Sequence, residues 1–163
     1  MRTAICPGSF DPITLGHLNI IRRSAQIFDK VIVCIMFNST KTRPMFTIEE
    51  RVEMVRKVVA KYPNVEVDTF DGLLAEYARK FDGAVIVKGM RAASDFEYEF
   101  QMNLINKKIN PSLETMFLTA SEKYTFLSSS VVREMASYGA DLTGFVPDEI
   151  IDEVEKKAKL WRQ

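Results

Sequence analysis

The sequence predicts an α/β fold: a doubly wound parallel sheet of five strands with helices on both faces. Two observations carry that expectation. Short apolar or β-branched runs alternate with stretches whose apolar residues recur at helical spacing. The connections are short, and no repeat, linker or low-complexity segment interrupts the alternation. Strands that alternate with helices pair in parallel through right-handed crossovers, which puts helices on both faces of a Rossmann-like sheet. The 163 residues are expected to form one domain, because a hydrophobic content of 47% suffices for a substantial core.

Arg2 to Cys6 and Val31 to Phe37 read as the first two strands, and Leu18, Ile21, Ala25 and Phe28 mark the helix between them. The second helix is expected to start at Thr47, whose hydroxyl can cap it while Glu50 reaches back from three residues on. Ile48, Val52, Val55 and Val59 form its buried stripe. Asn64 to Thr69 alternates as a third strand, and Asp71 is placed to cap a helix through Arg79. Ala84 to Lys88 is a continuous apolar fourth strand ending in a cation. In the helix from about Ser94, Phe96, Phe100 and Leu104 lie on one side and Tyr98, Met102, Ile105 and Ile109 on another, which points to a subunit contact. Thr115 to Leu118 supplies the fifth strand and Ser128 to Tyr138 a helix. Pro147, Asp148 and Glu149 open a last helix in the preferred first-turn order.

Composition excludes several classes of function. Lysine plus arginine balance aspartate plus glutamate at 22 each, so no global field recruits nucleic acid, and a small phosphorylated substrate is expected. No apolar run approaches the roughly 18 residues of a membrane span, and no apolar signal region follows Met1, so a cytoplasmic location is expected. Cys6 and Cys34 stand in apolar strand runs without CxxC spacing and read as buried, reduced thiols. Neither GxGxxG nor GxxxxGK[ST] occurs, which argues against dinucleotide-dependent oxidoreduction and a P-loop.

In a doubly wound sheet the ligand lies beyond the carboxyl ends of the strands. The unusual residues of this chain fall in those loops. The first reads Pro7-Gly8-Ser9-Phe10-Asp11-Pro12-Ile13-Thr14-Leu15-Gly16-His17, with Gly16 and His17 at the start of a helix. There the unpaired N–H groups and the positive end of the helix dipole attract phosphate, Gly16 permits close approach, and His17 and Ser9 add donors. Lys41 and Arg43 place cations at the rim of the same crevice, and Lys88-Gly89-Met90-Arg91, read as the loop after the fourth strand, adds two more. Glu99, two turns into the next helix, is placed to accept from a ribose or to orient Arg91. Tyr124-Thr125-Phe126-Leu127-Ser128-Ser129-Ser130, followed by Arg133, sets three hydroxyls at another helix start, a cradle for a polyphosphate. Taken singly, each has a structural reading: a helix-start histidine, solvated cations, a surface carboxylate, an N-cap serine. Their convergence on one edge of the sheet favours the functional one.

Together, Pro-Gly-Ser-Phe-Asp-Pro-Ile-Thr-x-Gly-His, Lys-Gly-Met-Arg, Asp-Phe-Glu-Tyr-Glu and Ser-Ser-Ser-x-x-Arg resemble the motifs of bacterial phosphopantetheine adenylyltransferases, a family of the nucleotidyltransferase superfamily. The resemblance runs from Ala4 to about Pro147. It implies conversion of ATP and 4'-phosphopantetheine to dephospho-coenzyme A and pyrophosphate, with magnesium held mainly through ATP phosphates, by a homohexamer. It further implies ATP binding by Ser9, Phe10, His17, Gly89, Met90, Arg91, Glu99 and Tyr124, Thr125, Phe126, Leu127, Ser128, Ser129 and Ser130. Ser9, Lys41, Leu74 and Lys88 would contact the acceptor, and Leu73, Met102, Asn106 and Glu134 would line its pantetheine arm. His17 and Lys41 would stabilise charge on the α-phosphoryl during direct in-line attack by the acceptor phosphate. That phosphate, largely dianionic at neutral pH, needs neither a base nor a protein nucleophile. Two positions depart from the family pattern: Lys88 stands where arginine is usual, and Phe37 is bulkier than the small residue expected near the arm. Two rivals remain on the residues alone. One is another small adenylyl- or cytidylyltransferase, and the other an ATP-binding sensor, which would need no second phosphate site.

Overall fold

The computed structural model describes residues 1–37 and 43–161. Five strands, β1 (Thr3–Gly8), β2 (Lys30–Met36), β3 (Val65–Phe70), β4 (Val85–Met90) and β5 (Glu114–Thr119), form one sheet in the order β3-β2-β1-β4-β5. Every pairing is parallel. The chain winds outward through α1 (Leu15–Ile27) and α2 (Ile48–Val59) to β3, then returns through α3 (Leu74–Ala78) to β4, on the other side of β1. The order therefore reverses between β1 and β4, and a crevice opens there at the carboxyl ends of the strands. After α4 (Ala93–Ile109) and β5 come α5 (Ser129–Ser137) and α6 (Ile151–Trp161).

Side chains that alternate along the strands divide between two cores. Ala4, Cys6, Val31, Val33 and Ile35 meet Ile21 of α1, Met54 and Val58 of α2, Val132 of α5 and Val154 of α6. Ile5, Ile32, Cys34 and Ile86 face the other way, onto Ala75, Tyr77 and Ala78 of α3 and Leu113. Because the central strands are buried on both faces, they lack the apolar-polar alternation of a half-exposed strand. Truncating Ile5 or Ile32 to alanine is expected to cost about 2–5 kcal/mol.

The expected elements are all present, with boundary changes that have physical causes. β1 extends past Cys6, because Pro7 and Gly8 still sit opposite Cys34 and Ile35. Lys88 ends the expected strand, but Gly89 and Met90 continue it rather than forming a loop, since they sit opposite Leu118 and Thr119 of β5. Gly89 has a packing reason: a Cβ there would lie 2.9 Å from the Ile20 side chain, so glycine lets α1 press onto β4. Thr47 caps α2 and Glu50 reciprocates, as expected. The buried stripe of α2 is Arg51, Met54, Val55, Val58 and Val59, with Ile48 and Val52 at its margin, because the helix turns Arg51 inward. Asp71 does not cap α3. Gly72, at φ 146°, intervenes, and the helix starts behind Leu73 with no side-chain cap. The last helix is preceded by a single 3-10 turn, Asp148–Ile150, so Pro147 opens that turn rather than α6 itself.

Candidate active site

The β1–β4 crevice holds a cavity of about 340 Å³. It is lined from the β1 loop and the start of α1 by Ser9, Phe10, Thr14, Gly16 and His17, from the end of β4 and just beyond it by Lys88, Gly89 and Arg91, and from the N-cap and first turn of α5 by Ser128, Ser129 and Ser130. The starts of α1 and α5 thus both border one space. Each brings backbone N–H groups without intrahelical partners and the positive end of a helix dipole, and the two together favour a polyanion.

His17 is held by the cap of its own helix. Thr14 Oγ1 accepts from the His17 N–H at 3.3 Å, and the Thr14 N–H donates to His17 Nδ1 at 3.0 Å. The ring takes the place that Glu50 occupies in the capping box of α2. Because Nδ1 accepts, the neutral imidazole carries its proton on Nε2 and can donate from there. The Phe10 ring stands edge-on to the imidazole, with centroids 5.0 Å apart, and fixes its plane from the side.

The cations at the β4 end are each engaged by a carboxylate. Lys88 Nζ lies 2.9 and 2.7 Å from the two oxygens of Glu99. Arg91 pairs with Asp95 through Nε at 3.1 Å and donates from Nη1 to the Leu127 carbonyl at 2.6 Å. This corrects the expectation that Glu99 orients Arg91. Asp95, in the first turn of α4, reaches back to Arg91 just before the helix, accepting from its backbone N–H as well as its Nε, whereas Glu99, a turn further along α4, faces Lys88. Asp95 also lines the cavity and was missed by sequence reasoning; its i,i+4 spacing from Arg91 was the available signal.

The serines of α5 are partly committed. Ser128 Oγ accepts from the Val131 N–H as the N-cap, Ser129 Oγ donates to the Pro12 carbonyl at 2.7 Å, and Ser130 Oγ accepts from Arg133 at 3.2 Å. Ser129 thereby ties the α5 start to the first loop. Cys6 also borders the cavity, but burial pushes its thiol up to about 12, against the smaller opposing effect of a hydrogen bond to Ser24. It stays protonated at neutral pH and is no nucleophile.

Of the sequence-predicted residues, Ser9, Phe10, His17, Lys88, Gly89, Arg91, Glu99, Tyr124, Leu127, Ser128, Ser129 and Ser130 line this cavity. Met90, Thr125 and Phe126 adjoin it in the chain without lining it; Phe126 packs edge-on to Phe145 instead. Leu73, Leu74, Met102, Asn106 and Glu134 also lie off its wall, at the start of α3, on α4 and on α5. Lys41 falls outside the described residues. Arg43, predicted at the rim, donates to the Trp161 carbonyl. Phe37, expected to end the second strand, lies just past β2 and is exposed. Among the described residues no group of three or more histidine, cysteine, aspartate or glutamate side chains is arranged to hold a metal.

Residues 5–135 match the cytidylyltransferase-like family model. The chain is 56% identical over 159 residues to phosphopantetheine adenylyltransferase of Caldanaerobacter subterraneus subsp. tengcongensis, covering 98% of this chain and 99% of that one. It is 51% identical over 158 residues to phosphopantetheine adenylyltransferase of Clostridium tetani, covering 97% and 98%. A Vibrio parahaemolyticus structure given the provisional name nicotinate-nucleotide adenylyltransferase superposes with a TM-score of 0.70 at 19% identity, over 99% of this chain and 96% of that one. At that identity the likeness is one of fold.

Proposed function

The chain belongs to the phosphopantetheine adenylyltransferase family, and on that premise we propose that the β1–β4 cavity is where it transfers an adenylyl group from ATP to 4'-phosphopantetheine, yielding dephospho-coenzyme A and pyrophosphate in coenzyme A biosynthesis. The observation that carries the assignment of the site is the convergence of two helix starts, the His17 Nε2 donor, Lys88 and Arg91 on one cavity. Such a site binds and neutralises phosphate and supplies no protein nucleophile.

In this reading the triphosphate lies between the α1 and α5 starts, held by backbone N–H groups, Ser9, Ser130 and Arg91, with Phe10, Gly89, Tyr124 and Leu127 around the nucleoside. A terminal oxygen of the acceptor phosphate attacks the α-phosphorus in line. A new P–O bond forms as the bond from the α-phosphorus to the bridging oxygen breaks, and pyrophosphate departs with that electron pair. No proton has to be removed from the nucleophile, because the phosphomonoester is already largely dianionic. His17 donates from Nε2 to the transferring phosphoryl, a preorganised donor aimed at charge that builds up only in the transition state. Lys88 takes the acceptor phosphate in exchange for Glu99. Lys41 is assigned a shared role with His17 on the family resemblance alone.

Magnesium fits this site through its substrate. Asp95 on the cavity wall is paired with Arg91, and no group of three or more potential ligand side chains gathers among the described residues, so the ion would be held mainly by triphosphate oxygens and water. Bound there, it would offset charge on the departing pyrophosphate. Leu73, Leu74, Met102, Asn106 and Glu134, which do not line the cavity, are assigned to the pantetheine side on the family resemblance alone. Association of several copies is supported by the exposed apolar residues of α4, and its form as a homohexamer is assigned on the family resemblance alone. A cytoplasmic location suits an ATP-consuming biosynthetic step; no helix among the described residues is long and apolar enough to cross a membrane.

Incubation with ATP, magnesium and 4'-phosphopantetheine should release pyrophosphate and dephospho-coenzyme A in equal amounts, while nicotinamide mononucleotide in place of the acceptor should release neither pyrophosphate nor a dinucleotide. Turnover with the mononucleotide alone would reassign the substrate. His17→Ala should lower kcat about a hundredfold, the loss of one preorganised donor worth about 3 kcal/mol, with KM values little changed.

A further inference from the structure

Behind the first loop lies a buried group that the reaction does not use. Asp11 is fully buried and does not line the cavity. Its Oδ1 accepts from the Phe46 N–H at 2.9 Å and its Oδ2 from the Met45 N–H at 3.1 Å. Two guanidinium groups flank it: Arg51 Nε at 3.5 Å and Arg133 Nη1 at 3.6 Å. Arg51 is itself buried, and the Arg133 side chain is 14% exposed. A carboxylate removed from water needs such charge-assisted partners, and once it has them its position is fixed from several directions.

The same arginines also grip the loop backbone. Arg133 Nη1 donates to the Asp11 carbonyl at 2.7 Å, and Arg51 Nη1 donates to the Ser9 carbonyl at 3.2 Å. Between those two carbonyls sits Phe10, a non-glycine residue at φ 47°, in the left-handed region. That conformation costs an L-residue about 1–2 kcal/mol and persists only where its surroundings impose it. Phe10 is the residue whose ring meets the His17 imidazole. A continuous set of contacts therefore runs from Asp11 with its two arginines, through the constrained Phe10, to the ring of His17.

We propose that Asp11, bracketed by Arg51 and Arg133, is a positioning residue for adenylyl transfer: it holds Phe10 in its left-handed conformation and, through the Phe10 ring, aims the His17 Nε2 donor. The inference rests on the adenylyl-transfer reading of the cavity. It gives Arg133, the arginine that closes the Ser-Ser-Ser-x-x-Arg motif, a definite task, with its guanidinium turned inward to the first loop.

A double-mutant cycle on the full chain tests it, with kcat measured at saturating ATP and phosphopantetheine for wild type, Asp11→Asn, His17→Ala and the double variant. Asp11→Asn should lower kcat by ten- to a hundredfold while changing KM for ATP less than threefold. In the His17→Ala background the same substitution should lower kcat by less than threefold, because no donor remains to be aimed. Equal losses in both backgrounds would overturn the proposal, since a general weakening of the fold does not depend on His17. If Asp11→Asn does not fold, Phe10→Leu takes its place in the cycle. It leaves the triad intact and removes the ring contact, so its loss must likewise vanish with His17→Ala, and persistence of that loss would overturn the proposal too. Wild type without adenylyl transfer takes down the site reading and this inference together; active wild type with additive losses takes down the inference alone.

Discussion

At the scale of single residues, Lys88 and Glu99 are poised rather than idle. The ammonium donates to Oε1 at 2.9 Å and lies 2.7 Å from the buried Oε2, which lacks an aligned hydrogen-bond donor, so only one arm of the pair is directional. Such a pair exchanges readily for a dianionic phosphate that offers several acceptors to a point charge. Lys88→Ala should therefore raise KM for phosphopantetheine at least tenfold, the worth of about 1.5–3 kcal/mol for a charge-assisted bond, and leave KM for ATP within threefold. Steady-state kinetics with each substrate varied in turn checks this. The two cysteines give a prediction of the opposite kind. Burial pushes the thiols of Cys6 and Cys34 up to about 12, against smaller lowering effects from hydrogen bonds to Ser24 and Tyr77 respectively. Iodoacetamide at pH 8 should label neither in the folded protein and both after unfolding, as read by intact-mass spectrometry.

At the scale of elements, α2 and α3 differ in how much of their start is written locally. α2 begins at a reciprocal cap, in which Thr47 Oγ1 accepts from the Glu50 N–H while Glu50 Oε2 accepts from the Thr47 N–H. Thr47→Ala should cost about 1 kcal/mol in chemical denaturation. Burial pushes the Glu50 carboxyl up, but bonds from Lys157 and Thr47 outweigh it and hold the group below its ordinary value of 4.5. A carboxylate depressed in the folded state contributes stability that is present above its unfolded value and lost as pH falls through its folded one. Glu50→Gln should thus destabilise the protein at pH 7, and the difference from wild type should shrink steadily as denaturation is repeated below pH 4.5. A constant difference would assign the effect of Glu50 to packing. α3, by contrast, starts behind Leu73 without a side-chain cap, so Asp71 was a misleading local signal; packing of Ala75, Tyr77 and Ala78 onto the sheet holds it instead.

At the scale of the whole molecule, α4 exposes apolar residues on two of its sides. Phe96 and Phe100 stack with centroids 5.7 Å apart, and Tyr98 and Leu104 are 61% and 54% exposed. Apolar residues on two sides of one helix exceed what a single covered face needs. Light scattering on the purified protein should give an assembly larger than a monomer, and Leu104→Glu should reduce its mass without lowering the helix content seen by circular dichroism. A wild-type monomer would remove the hexamer from the proposal.

The sequence by itself determined what short-range physics controls. Short apolar or β-branched runs and helical spacing placed the strands and their helices, the Thr47 cap fixed the start of α2, and the Thr14 to His17 loop marked a helix start fit for phosphate. What it left open depends on which distant segments meet. That Gly89 and Met90 belong to a strand rather than a loop was settled by their pairing with β5. Glu99 found its cation, Lys88, only once α4 was placed beside β4. Asp11 reads as one residue of a loop motif, yet its partners lie 35 and 122 positions away, at Phe46 and Arg133. Helical and strand periods are set by backbone geometry within a few residues, whereas a buried carboxylate is set by whatever the strand order brings beside it. For this protein the strand order β3-β2-β1-β4-β5 made that choice, by opening the crevice next to β1 and folding α2 and α5 against its first loop.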